Sequence, residues 1–254
     1  IKKISDFLRK KNFDYLFVTA PENIAWLLNI RGHDNPSSPI PNSHLLINKK
    51  KEFYLIADKN KTTNLLKEKK LKVDQIIEPE NVLKFFNKIK GKTILIDETT
   101  CSIYFEKNLA KSFKIIKKDD PIYLLKSIKN KIELNNTIKT HIIDGVALTK
   151  FIYWLKKVNK SKITEVNAQN KLEKLRKRNS KYLFPSFNTI AGTGKNGAIV
   201  HYRATKKNTR YLKENEIFLC DSGGQYKYGT TDVTRTICFS NQKINIKNIF
   251  TKVL

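Results

Sequence analysis

The stretch NEIFLCDSGGQYKYGTTDVTRTICFS (residues 215–240) carries the strongest chemical signal in the chain. Its runs IFLC and VTRTICF are short, apolar or β-branched, and separated by a glycine-rich connection, which predicts an antiparallel hairpin with a long loop. Each run meets the loop at a carboxylate, Asp221 on one side and Asp232 on the other, so the hairpin brings the two side by side. Two like charges on largely apolar strands repel unless a cation lies between them. Oxygen donors of this kind suit Mn²⁺, Mg²⁺ or a carboxylate-bridged metal pair. Ordinary turn chemistry is the competing reading, because Asp before Ser-Gly-Gly is a frequent turn former, and spacing alone does not decide between them.

Upstream, GTGKNG (192–197) has the spacing G-x-G-x-x-G. A dinucleotide fingerprint of that form must follow a strand and open a helix, because the pyrophosphate rests on the helix's unpaired N–H groups. Here FNTIA (187–191) and AIVHYR (198–203) both read as short strands, so a strand, a glycine loop and a second strand are expected, and no nucleotide. A Walker loop fails as well, with Thr189 where glycine is required and Asn196 where Ser or Thr is required. His201 falls in the second expected strand; a lone histidine there is ordinarily a structural imidazole.

These residues need a frame, and 254 residues with 40% hydrophobic content can supply one large or two modest domains. No apolar run is long enough to cross a bilayer, and the amphipathic start IKKISDFLRKK has no signal-peptide features, which points to a cytoplasmic protein without a membrane partner. The net charge of +27 invites a nucleic-acid reading. Against it, only seven of the 50 basic residues are arginine, and the lysines are spread along the whole chain rather than clustered. The densest basic run, KLEKLRKR (171–178), has helical apolar spacing and reads as a solvated helix face. Nucleic acid is therefore not an expected partner. Cys101, Cys220 and Cys238 show no C-x-x-C pairing and read as buried reduced thiols. The chain begins at Ile1 and contains no methionine, which reads as a fragment.

The first half alternates strands and helices: IKKISDFLRKK, DYLFVTA, PENIAWLLN, a Pro-rich loop over 31–43, HLLIN, EFYLIAD, a polar helix over 60–70, the strand VDQII, the helix PENVLKFFNKIK, KTILID, and TTCSIYFEKNLA leading to FKII. The charged KKDDP (117–121) reads as a linker. Beyond it lies a long helix over 131–158 whose residues Leu134, Ile138, Ile142, Leu148, Ile152 and Leu155 keep near a 3.6 period. Gly145 inside that helix costs about 1 kcal/mol against alanine, which predicts a close packing contact. A second helix spans about 163–178, followed by strands and tight loops to Ser240. The expected organisation is an α/β domain over 1–122 and an α+β domain over 123–254.

Taken together, GTGKNGAIVHY and FLCDSGGQYKYGTTDVTRT closely resemble the creatinase/aminopeptidase superfamily of metallopeptidases, in particular the Xaa-Pro aminopeptidases. DYLFVTAPENIAWLLNIRGHDNPSSP is similar to that family's non-catalytic α/β domain, and KSIKNKIELNNTIKTHIIDGVALTKFIYWLKK to the helix that opens its pita-bread catalytic domain. The resemblance covers nearly the whole chain. It implies a metal-dependent aminopeptidase releasing the N-terminal residue ahead of proline, with two divalent ions, usually Mn²⁺ and alternatively Zn²⁺ or Co²⁺. It further implies that Asp221 and Asp232 are metal ligands, that Thr234 helps position the attacking water, and that His201 contacts substrate and steadies the tetrahedral intermediate. A homodimer is implied for the full-length enzyme.

The same resemblance requires one further histidine and two glutamates downstream of Asp232, whereas residues 233–254 contain no His, Asp or Glu. The chain is expected to be part of a longer enzyme and inactive alone. Prolidase-type dipeptidases and methionine aminopeptidases share the two-Asp hairpin; the preceding domain with WLLNIRG disfavours the latter. A non-catalytic peptide- or protein-binding relative is the other alternative.

Overall fold

A strand covered on both faces must be apolar along its whole length, and YLFV (15–18) is buried at all four positions. The computed structural model describes residues 1–254, which divide into two compact units, Ile1–Ile128 and Lys129–Leu254. In chain order the first unit comprises α1 (Lys2–Lys11), β1 (Tyr15–Val18), α2 (Pro21–Leu28), β2 (His44–Asn48), β3 (Phe53–Ile56), α3 (Lys59–Lys67), β4 (Ile76–Ile77), α4 (Val82–Lys88), β5 (Thr93–Ile96), α5 (Ile103–Leu109), β6 (Lys114–Lys117) and α6 (Pro121–Ser127). Its strands form one mixed sheet in the order β4-β3-β2-β1-β5-β6, in which β2 runs antiparallel to both neighbours. Alternation along the strands feeds two cores. Leu16, Val18, Leu45 and Ile47 meet Ile4, Leu8 and Ile24 on one face, while Tyr15, Phe17, Ile94 and Ile96 meet Val82, Phe86 and Leu109 on the other.

Two expectations for this unit change. VDQII is mostly a 3₁₀ turn over Val73–Gln75, because the Gln75 side chain turns back to accept from the Lys72 N–H at 2.9 Å, leaving only β4 extended. KKDDP is built into the unit instead of tethering it. Lys117 closes β6, and Asp120 is buried, accepts from Asn23 Nδ2 at 2.8 Å and caps α6 at the Ile122 N–H.

The second unit comprises α7 (Lys131–Lys157), α8 (Glu165–Arg176), β7 (Tyr182–Pro185), β8 (Ile190–Thr193), β9 (Ile217–Ser222), β10 (Gly224–Tyr226), β11 (Gly229–Thr230), β12 (Val233–Cys238) and α9 (Ile244–Val253). Two antiparallel three-stranded sheets form, in the orders β12-β9-β8 and β11-β10-β7. One face of β12-β9-β8 buries Ala191, Phe218, Cys220 and Ile237 against Ala147, Leu148, Phe151 and Leu155 of α7 and Ala168, Leu172 and Leu175 of α8. No helix is long and apolar enough to cross a membrane.

Helix α7 departs from its expected face. Thr140, Asp144, Ala147, Leu148, Phe151 and Leu155 are buried, whereas Leu134, Ile138 and Ile142 are exposed. The apolar positions belong to two stripes on different sides of the helix that change over near Gly145, and a 3.6 period cannot say which one is covered. Gly145 faces open space, so no packing contact accounts for it. Among the cysteines, Cys101 and Cys220 are buried as expected, but Cys238 is exposed on the edge strand β12; all three are free thiols.

Candidate metal centre

The predicted hairpin is β9 paired with β12, in a register that sets Asp221 opposite Thr234 and Ser222 opposite Val233. Phe218, Cys220 and Ser222 turn inward, so Asp221 falls on the other face, half-buried, and accepts from Thr234 Oγ1 at 2.8 Å. Asp232 lies one residue ahead of β12, two before Thr234, and is exposed. Period two therefore puts Asp221, Thr234 and Asp232 on one face, the aspartates diagonal across the ladder.

The connection between them is more than a loop. Residues 224–230 fold back as the β10–β11 hairpin and join β7 in the other sheet. The chain can change sheets there because position 223 is glycine: a Cβ would lie 2.0 Å from the Thr231 carbonyl oxygen and 2.2 Å from Ser186 Oγ. Buried Thr231 closes the neck, with its N–H donating to the Gly224 carbonyl at 2.9 Å and its Oγ1 accepting from the Gly224 N–H at 3.0 Å. The two aspartates thus leave from the two sides of a stapled neck.

Beneath the neck lies an ion pair whose arginine was expected on a solvated helix face. Arg176, in the run read as a solvated helix face, is 1% exposed. Its Nε and one terminal nitrogen donate to the two oxygens of Asp144 at 2.7 and 3.1 Å, and its other bonds reach Ser222 Oγ at 3.1 Å and the Gly223 carbonyl at 3.3 Å. Asp144 also accepts from the Tyr226 hydroxyl at 2.6 Å. Burial pushes the Asp144 carboxyl up, but Arg176 and Tyr226 outweigh it and hold it below the usual carboxylate range. For Tyr226, burial first and the Asp144 charge second push the phenol far up, so it stays a donor. The available signal was Asp144 itself: a carboxylate inside the apolar run HIIDGVAL needs a buried partner.

GTGKNG and His201 lie differently from expectation. Strand β8 ends at Thr193, and Gly194–Ala198 is a 3₁₀ turn; AIVHYR is not a strand. The physical reason is Glu165, a fully buried carboxylate at the start of α8. It accepts from the Thr193 N–H at 2.8 Å, Asn196 Nδ2 at 3.0 Å, the Tyr202 hydroxyl at 2.8 Å and the Arg210 N–H at 3.0 Å. Those bonds draw the segment inward in place of a sheet ladder. No α-helix opens after the glycines, so the helix N-terminus that a pyrophosphate requires is absent from this segment. Gly194 has a φ of +53°, with Glu216 and Arg210 against it, so the glycines serve this turn. His201 is exposed, with a φ of +55°.

The site residues therefore fall into two places. Asp221, Thr234 and Asp232 share a strand face, and His201 is held by a separate turn. No group of three or more His, Cys, Asp or Glu is placed to hold a metal. The two carboxylates, hard oxygen donors standing clear of the core, fit part of a divalent-cation shell.

Comparison with known proteins is consistent with that donor set. Residues 1–133 match the family model described as the creatinase/prolidase N-terminal domain, and residues 135–254 match metallopeptidase family M24. The chain belongs to the creatinase/aminopeptidase superfamily of metallopeptidases. Over 97% of its length it is 36% identical to the Xaa-Pro aminopeptidase ApepP of Drosophila melanogaster, of which it covers 41%. An X-prolyl aminopeptidase from Caenorhabditis elegans, described as a cytosolic enzyme with a di-nuclear active site, superposes with a TM-score of 0.83 at 28% identity, over 96% of this chain and 41% of that one. Prolidase from Pyrococcus furiosus shares the fold, with a TM-score of 0.73 at 22% identity, over 97% of this chain and 68% of that one. This member of the superfamily spans about two-fifths of the length of the curated relatives it matches. Its architecture is that of the superfamily, a creatinase-type α/β unit followed by an α+β unit of the pita-bread type.

Proposed function

We propose that this chain carries part of the machinery of a metal-dependent aminopeptidase that releases the N-terminal residue from peptides with proline in second position. The observation that carries the reading is the single strand face shared by Asp221, Thr234 and Asp232, in a chain 36% identical to an Xaa-Pro aminopeptidase along nearly its whole length. The unit of residues 1–128 acts as the non-catalytic domain and that of 129–254 as catalytic-domain sequence. Asp221 and Asp232 hold divalent cations, Mn²⁺ in our reading, and Thr234 fixes the rotamer of Asp221 through its 2.8 Å hydrogen bond. Bound cations of this kind supply an activated water and polarise the scissile carbonyl. His201 donates to the oxyanion that forms as the carbonyl is attacked. An Xaa-Pro bond is a tertiary amide without N–H, so selection rests on the proline ring and the free amino terminus. We place the complete enzyme in the cytoplasm as a homodimer.

The test is cleavage by the complete gene product with Mn²⁺ on a tripeptide with proline second and on an Xaa-Pro dipeptide. Release of the first residue from the tripeptide, abolished in Asp221→Asn and Asp232→Asn, supports the reading. Activity confined to the dipeptide moves it to a prolidase-type enzyme. No cleavage at all overturns the catalytic reading in favour of a peptide-binding relative. The polypeptide of residues 1–254 alone is expected to be inactive, because residues 233–254 offer no His, Asp or Glu to complete the donor set.

A further inference from the structure

Five residues other than glycine have a positive φ, and four sit where such a backbone is common. Asn12 and Asn29 cap the C-termini of α1 and α2, Lys51 lies in the turn between β2 and β3, and Lys69 follows α3. His201 is the fifth, third in the turn Ile199–Tyr202 that closes through the Tyr202 N–H and the Ile199 carbonyl at 3.2 Å. A left-handed residue there is normally glycine or asparagine, since a β-carbon crowds the following carbonyl. Something must hold the histidine in place.

The groups on either side of it lead to one atom group. Tyr202, 5% exposed, donates its hydroxyl to Glu165 Oε2 at 2.8 Å, and Asn196 Nδ2 bridges that hydroxyl at 2.8 Å and Glu165 Oε1 at 3.0 Å. The Thr193 and Arg210 N–H groups tie the same carboxylate to the strand before the turn and to the chain after it. A side chain at 0% exposure collects all four, while His201, beside Tyr202, faces solvent.

We propose that Glu165, acting through Tyr202 and Asn196, is a positioning residue that keeps His201 in its left-handed backbone and aims its imidazole at the reacting carbonyl. The inference rests on the role given to His201 above, and its test separates the two. In the complete enzyme with Mn²⁺, His201→Ala is expected to lower kcat on an Xaa-Pro peptide about 100-fold, the size seen for loss of an oxyanion donor. Tyr202→Phe, which deletes one hydroxyl, and Glu165→Gln are expected to lower kcat about 10-fold with KM little changed. Neither is expected to add to the loss when combined with His201→Ala, because both act through that side chain. His201→Gly is expected to raise the melting temperature while losing activity, since it removes the backbone strain.

Full kcat in His201→Ala overturns the role of His201 and the latch with it. A large loss in His201→Ala with none in Tyr202→Phe overturns the latch alone, as does a Tyr202→Phe loss that multiplies with that of His201→Ala. A lower melting temperature in His201→Gly overturns the strain on which the latch is built. Should Glu165→Gln fail to fold, Tyr202→Phe carries the same comparison.

Discussion

The two units bury different things. In the first, strands β1, β2 and β5 are apolar almost throughout, and the sheet is covered on both faces by two hydrophobic clusters. Its Asp14–Lys49 pair stays near the surface, the carboxylate side chain 19% and the lysine 41% exposed. The second unit covers one face of its longer sheet and sinks Asp144, Arg176 and Glu165 to 1% exposure or less. Buried ions are poor stabilisers compared with apolar residues of the same volume, so an ion pair sunk to 1% exposure on both sides calls for another reason. Position supplies it. Arg176 holds Ser222 and Gly223, next in the chain after Asp221, while Glu165 holds Asn196 and Tyr202 around His201. Apolar packing is non-directional, whereas a bidentate ion pair fixes an angle and a register.

The sharpest way to break this contrast is Arg176→Ala, which leaves Asp144 charged and unpaired in the core. It is expected to cost the second unit about 3–5 kcal/mol in urea unfolding. A loss under 1 kcal/mol would show that the pair is hydrated and that the two units are not so different.

Asp14 of the first unit and Tyr202 of the second lose their contributions at opposite ends of the pH scale. In the first, burial raises Asp14, but Lys49 Nζ at 2.6 Å and the N–H groups of Lys92 and Thr93 outweigh it and hold the carboxyl at about 2, against an ordinary 3.8. Its folded-state pKa is depressed, so the contribution, about 2 kcal/mol, is complete above pH 4 and disappears as pH falls through 2. Asp14→Asn should flatten the acid limb of the stability profile; an unchanged limb would count against the assignment.

In the second unit, burial first and the Glu165 charge second push Tyr202 up to about 12 from an ordinary 10. The folded state then binds that proton more tightly than the unfolded chain, so stability is complete below pH 10 and falls by about 2 kcal/mol as pH rises to 12. Tyr182 and Tyr226, raised by burial and by Glu173 and Asp144 respectively, act in the same direction. Tyr202→Phe should remove part of that alkaline loss, read by circular dichroism against pH.

The smallest effect sharpens the comparison on the helix that carries Asp144. Gly145 has nothing within 4 Å of an added β-carbon, so Gly145→Ala is expected to stabilise the second unit by about 1 kcal/mol in urea unfolding. A loss instead would mean that the exposed stripe of α7 needs the glycine.

Much of this was written locally in the chain. Short apolar or β-branched runs bounded by turn residues identified β1, β2, β3 and β5, and the β9–β12 hairpin followed from two such runs around a glycine-rich connection, with Asp221 and Asp232 at its neck. These features depend on residues within a few positions of one another, where backbone sterics and side-chain alternation suffice. Tertiary structure decided which stripe of α7 is covered, that Arg176 turns inward, and that Glu165 bends AIVHYR into a turn instead of a strand. Arg176 lies 32 positions from Asp144, and Glu165 lies 37 from Tyr202. An isolated arginine or glutamate on a helix is stable in water; only a partner brought in from another element makes its burial tolerable, and no local pattern names that partner.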